Sequence, residues 1–235
     1  MNDTLTIIIY SSTAGFPIII GGLISSFLQK KEFACKNEIN HLVTAFGGGA
    51  LLSAIAFVLI PEAVADLSLL EITLTFLSGT LVFMGLDIAG SKSGGSVAQV
   101  LSMMMDFIPE ALALGASFAY DHSFGLLIAL FIGLQNLPEG FNSYIELNTR
   151  MNKKKALLLM FALSFVGIIA ALTGEFLLSG NNRIVDSIML FSGGGILYLI
   201  FQDVAPVSKI KDRWLPATGA SMGFLLGMIG EKLLQ

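Results

Sequence analysis

Residues 124–147 read FGLLIALFIGLQNLPEGFNSYIEL. From Phe124 to Leu134 every residue is apolar or glycine; then Gln135-Asn136-Leu137-Pro138-Glu139 breaks in. A mostly apolar run of about 20 residues is long enough to cross a bilayer as a helix. A charged side chain near the centre of such a helix costs about 2.5–3.5 kcal/mol on insertion scales, so Glu139 needs a function or a partner. The fold class and the site both hang on this stretch.

The rest of the chain has the same character. Of 235 residues, 54% are hydrophobic and only 13% charged. Mean hydropathy is +0.81. A soluble domain carries about 25% charge, so this chain lacks the polar residues to cover a water-facing surface. That argues against a soluble enzyme and for an integral membrane protein. Disorder is excluded by the apolar content. A disulfide framework is excluded because Cys35 is the only cysteine. No basic stretch is long enough for nucleic acid.

Eight stretches are long enough to span: 5–28, 41–65, 68–90, 97–119, 124–147, 155–179, 184–207 and 214–233. Short connections separate them, among them Gln29 to Glu32, Asp66 to Ser68, Ser91 to Gly95, Asp121-His122 and Arg150 to Lys155. The first stretch is too long, and its front too poor in basic residues, for a cleaved signal peptide. The runs are continuous and not alternating, which disfavours a β-barrel. The expected architecture is one all-α transmembrane domain over 1–235.

With the N-terminus outside, the cytoplasmic loops hold Lys30, Lys31, Lys36, Lys92, Arg150, Lys153, Lys154, Lys155, Lys209, Lys211 and Arg213, 11 of the 13 basic residues. Only Arg183 and Lys232 fall outside. The positive-inside rule therefore supports eight spans with both termini outside, in a bacterial-type cytoplasmic membrane.

Two pairs of spans resemble each other. Phe46-Gly47-Gly48-Gly49-Ala50 aligns with Phe191-Ser192-Gly193-Gly194-Gly195, and fifteen residues on, Pro61 falls on Pro206. Ile108-Pro109-Glu110-Ala111 aligns with Leu137-Pro138-Glu139-Gly140. Each pair runs in opposite directions in the eight-span topology, the signature of inverted repeats in secondary transporters. The glycine runs favour static close packing over sliding.

Asp106 and Glu110 stand four apart, as do Gln135 and Glu139, so each pair shares a helical face. Asn136 lies on an adjacent stripe. No Lys or Arg stands in the middle of any span to neutralise the acids, so a cation or protons must do so. Pro109 and Pro138 each remove a helical hydrogen bond, freeing the carbonyls of Met105 and Leu134. Glu175 lies in the sixth span with no basic partner near it in sequence. Asp87 and Asp203 could line an exit path, with interfacial snorkelling the main alternative for Asp87. Glu62 could draw cations to the outer mouth or simply be solvated. His41 reads as interfacial, and Met103 to Met105 as core with one thioether in reach of an ion.

At these residues the chain resembles the ZIP family of divalent metal transporters. Gln135-Asn136-Leu137-Pro138-Glu139-Gly140 is similar to the family's His-Asn-x-Pro-Glu-Gly motif, with Gln in place of His. Asp106-Phe107-Ile108-Pro109-Glu110-Ala111 stands where the family has a related motif, with Asp in place of His and Phe107 in place of Asn. The resemblance implies an eight-helix bundle with both ends outside, often dimeric, embedded in lipid. It implies metal ligands at Asp106, Glu110, Gln135 and Glu139, with Asn136 and Glu175 serving a second metal. It implies no cofactor beyond the transported ion and no enzymatic activity.

The expected function is therefore a divalent cation transporter with an oxygen-rich site, suited to manganese, iron or magnesium as much as zinc. No nucleotide-binding loop is present, so alternating access by rocking or by an elevator movement would proceed without ATP hydrolysis. A proton or organic-cation carrier is the alternative, with Phe107 and Phe141 available to a bulky cation. An intramembrane hydrolase is disfavoured because no histidine lies inside a span to act as base.

Overall fold

The computed structural model describes residues 3–30, 34–93, 95–118, 122–178 and 180–234. Lys31, Glu32, Gly94 and Asp121, named above as connection residues, lie outside them. The described residues form helices joined by short turns, with no strand among them. Eight helical segments result: α1 (Asp3–Leu28), α2 (Lys36–Asp66), α3 (Leu69–Ser93), α4 (Gly95–Phe118), α5 (His122–Arg150), α6 (Lys153–Leu178), α7 (Asn182–Ser208) and α8 (Leu215–Leu234). Each of the eight apolar stretches falls on one of them. Six, all but α4 and α8, are long and apolar enough to cross a membrane by length and composition. The chain is thus a helical, multi-pass membrane protein.

Local chemistry sets the ends. Asn152 caps α6 by accepting from the Lys155 amide, and Asn181 does the same for α7 from the Ile184 amide. At the start of α3, Ser68 and Glu71 bond reciprocally in a capping box. α6 is interrupted by a turn at Ser164-Phe165.

α2 and α7 share an irregularity. A π-helical turn occupies Ile55–Leu59 in α2 and Ile200–Val204 in α7, each ending two residues before Pro61 or Pro206. A proline ring clashes with the carbonyl four residues earlier. The wider turn, closed by Ile60 to Ile55 and by Ala205 to Ile200, makes room for it. Pro109 and Pro138 act differently: α4 and α5 run unbroken through them. Those prolines remove one hydrogen bond each and leave the helix whole.

Packing is by glycine against backbone. α1 lies along α5, α2 along α8, α3 along α7 and α4 along α6, with α4 and α5 touching at the centre. Gly49 meets the Ala220 carbonyl of α8, and Gly194, its repeat counterpart on α7, meets the Phe76 carbonyl of α3. Gly21 and Gly140 seat α1 on α5; Gly115 and Gly174 seat α4 on α6. Small residues let helix backbones approach where lipid offers no hydrophobic drive to associate. The Gly47 to Gly49 run is closely packed on three sides, against Pro138, Val204 and Ala220.

The candidate cation site and its chamber

The central helices α4 and α5 bring Asp106, Glu110, Gln135, Asn136 and Glu139 to one level of the core. Asp106, Glu110, Gln135 and Asn136 are each no more than 3% exposed. Gln135 Nε2 donates to Glu110 Oε2, joining α5 to α4. Asp106 of α4 and Glu139 of α5 line the head of one cavity. Two carboxyls brought together, with no basic residue among the described residues lining that cavity, call for a proton or a cation near them. Asn136 Nδ2 donates to the Ala14 carbonyl at 2.8 Å, which turns its oxygen elsewhere.

The accounting leaves acceptors over. Glu110 Oε1, Gln135 Oε1, Asn136 Oδ1 and Glu139 Oε2 are buried and have no hydrogen-bond partner among the described residues. Orphaned buried polar atoms are uncommon and ask for an explanation. Here all four are oxygens, two of carboxyls and two of amides. An oxygen-seeking cation satisfies such a set, and a hydrogen-bond acceptor does not. Among the described residues, though, no three His, Cys, Asp or Glu side chains are gathered in a metal-holding arrangement. Glu110 is joined to the Gln135 amide, while Asn136 is tied to the Ala14 carbonyl.

Glu175 is half-buried on α6. Its neighbour Gly174 packs against the Leu112 carbonyl and the Ala116 amide. That sets Glu175 about one turn beyond Glu110 along α4. Phe107 is fully buried, its ring packed against Gly15 of α1 and Gly167 of α6.

From Asp106 and Glu139 a cavity of about 390 Å³ runs toward the ends of α3, α5 and α7. Five carboxylates line it: Asp87, Asp106, Glu139, Glu146 and Asp203. No Lys, Arg or His is among the described residues lining it, and no aromatic ring either. Its mouth, at Ser91, Glu146 and Val207, is close in sequence to Lys92, Arg150 and Lys209, on the basic side of the molecule. Asp87 is held by Tyr198, whose hydroxyl donates to it at 2.9 Å. Asp87 and Asp203 line the same cavity as Asp106 and Glu139, as do Met103 and Met105. His41 is engaged elsewhere, with Nδ1 2.6 Å from the Val207 carbonyl.

Sequence reasoning missed Asn142 and Glu146. They continue the face of Gln135 and Glu139 at positions 135, 139, 142 and 146, a helical stripe that periodicity could have found. Asn142 also accepts from Thr44 Oγ1 at 3.0 Å, fixing α5 to α2. It also missed Asp186, discussed below.

A helical membrane protein with an acid- and amide-lined chamber opening to its basic side is the class these features define. Among curated proteins the chain is similar to the zinc transporter GufA of Myxococcus xanthus, at 33% identity over 148 residues, 62% of this chain. The aligned part is 58% of that relative, so the chain spans little more than half the relative's length. No protein-family profile matches the chain. The similarity to GufA bears out the resemblance to the ZIP family.

Proposed function

We propose that this chain moves a divalent metal cation across a cytoplasmic membrane, without enzymatic chemistry. One observation carries the reading: four unpartnered oxygens on Glu110, Gln135, Asn136 and Glu139, buried with no basic residue beside them, at the head of an acid-lined cavity. The name of the relative supports it. Asp106 would complete the ligand set, and Glu175 would need to approach by about one turn to join it.

An oxygen set of carboxylates and amides suits manganese, iron(II) or magnesium, while zinc keeps its general advantage in raw affinity. Phe107 fills the position beside Asp106 with an apolar ring seated between Gly15 and Gly167. One central ion per chain is therefore the reading, in place of a bridged pair. Helix neighbours support the inverted repeat: exchanging α1 with α6, α2 with α7, α3 with α8 and α4 with α5 turns α1–α5 into α6–α4 and α2–α8 into α7–α3. The matched π-turns support it as well. Such a pair of halves suits alternating access around a fixed site.

The alternative, a proton or organic-cation carrier, draws less support. A bulky organic cation needs aromatic faces, and neither Phe107 nor Phe141 lines the cavity. Uptake into proteoliposomes, with a panel of metals against organic cations, separates the two. Glu139→Ala protein should fold and take up no metal. Normal metal uptake by that variant sinks the site assignment.

A further inference from the structure

At the opposite end of the bundle lies a second, smaller cavity of about 160 Å³. It is formed where the end of α2 and the start of α7 face the end of α4. Glu62 and Asp66 come from α2, Ser117 from α4, and Asn182 and Asp186 from α7. Acidity alone would say little, since acids at helix ends are commonly solvated. Asp186 is the exception: it is only 6% exposed, and its Oδ2 is buried without a hydrogen-bond partner among the described residues.

Its surroundings make this costlier. Asp66 and Glu62 line the same cavity, so the charges it gathers among the described residues are all acidic. The nearest basic residue in sequence, Arg183, is committed elsewhere, in a 2.8 Å ion pair with Glu71. Protonating Asp186 would relieve the repulsion, with Asp66 or Glu62 accepting the new O–H, but it would leave the charge on those two carboxylates uncompensated. A divalent cation in the cavity would offset two of the three negative charges and fill the orphaned valence. The space equals about five water molecules at ~30 Å³ each, room for a divalent ion with part of its water shell. The donors are all oxygens: three carboxylates, the Ser117 hydroxyl and the Asn182 amide. Such a set fits the hard cations, magnesium, calcium and manganese.

We infer that Asp186, with Asp66 and Glu62 acting through water because the three acids are not gathered closely enough to ligate one ion directly, forms a separate, weak site for a hydrated divalent cation at the end of the molecule away from the basic loops. Binding there stands on its own observations. Its service as a capture site for the central chamber rests on the transport reading above.

Manganese titration of the purified protein in lipid nanodiscs, read by the electron paramagnetic resonance signal of free Mn²⁺, tests it. The wild-type protein should show a tight and a weak class of site. Glu110→Gln/Glu139→Gln protein should keep the weak class. Asp186→Asn protein should keep the tight class and bind the weak ion at least about tenfold less well, since affinity follows ligand charge. Should Asp186→Asn not elute as a single folded species, Asp66→Asn, on the exposed end of α2, should show the same loss. A wild-type protein with no weak class, or a weak class untouched in the folded variant, overturns the inference. If the weak class depends on Asp186 while Glu139→Ala protein still transports metal, the central assignment fails and the outer site stands.

Discussion

Replacing Gly49 by alanine asks whether backbone contact between α2 and α8 holds the bundle together. A Cβ at Gly49 would fall 2.7 Å from the carbonyl carbon of Ala220 and closer still to its oxygen. Ordinary contact begins at 3.4 Å, so the helices must part by at least about 0.7 Å. No flexible side chain is there to yield; the obstruction is backbone. Gly219 and Gly223 of α8 sit equally close to the Leu42 and Phe46 carbonyls, so the gap would loosen the whole contact. Overpacking of this kind costs about 3 kcal/mol, which lowers Tm by about 6–12 °C for a chain of this size. Gly85 is the control, since a Cβ there meets nothing within 4 Å. Gly85→Ala should leave Tm level or raise it slightly, because alanine favours helix by about 0.5–1 kcal/mol. Thermal melts in detergent, followed by the fraction eluting as a monodisperse peak, give both values. A Gly49→Ala protein melting within 2 °C of wild type would refute the reasoning.

Three further outcomes are expected. A cysteine at Lys154 should be shielded from a membrane-impermeant thiol reagent on intact cells while one at His122 reacts; the opposite labelling reverses the orientation. Gln135→His places an imidazole at the central site and should strengthen zinc over manganese by at least about tenfold in competition titrations; an unchanged ratio shows that Gln135 is no ligand. Asp203→Asn should slow uptake about two- to tenfold while leaving central binding intact, since a lining charge acts on passage rate; unchanged uptake kinetics remove Asp203 from the path.

The positions of the helices were legible because a bilayer-spanning run is long and apolar, and each of the eight stretches lies on a helix. The site was half legible. Asp106, Glu110 and Glu139 stand out because charge is scarce among their neighbours, and their spacing puts them on shared faces. Asn142 and Glu146 were overlooked because they lie nearer the polar end of α5, where such residues need no explanation. Asp186 was invisible for a different reason. It stands on the first turns of α7, where an acid is ordinary, and only the fold reveals that α2 and α4 close over it. The effect of the prolines could not be read from proline alone. Pro61 and Pro206 follow a π-turn, whereas Pro109 and Pro138 sit in continuous helix.

The two π-turns change how α2 and α7 meet the rest of the molecule. Each inserts one residue, and one residue turns a helix by about 100°. Before its turn α2 faces α8 and α5; after it, Ile60–Asp66 faces α7. Before its turn α7 faces α3 and α4; after it, Ala205–Ser208 faces α2. Each π-turn works as a swivel, handing a helix from one set of neighbours to another. Removing a single residue between Ile55 and Leu59 would restore regular winding and point Glu62 and Asp66 away from Asp186. A deletion there would do more harm than most substitutions, because it re-aims every side chain that follows.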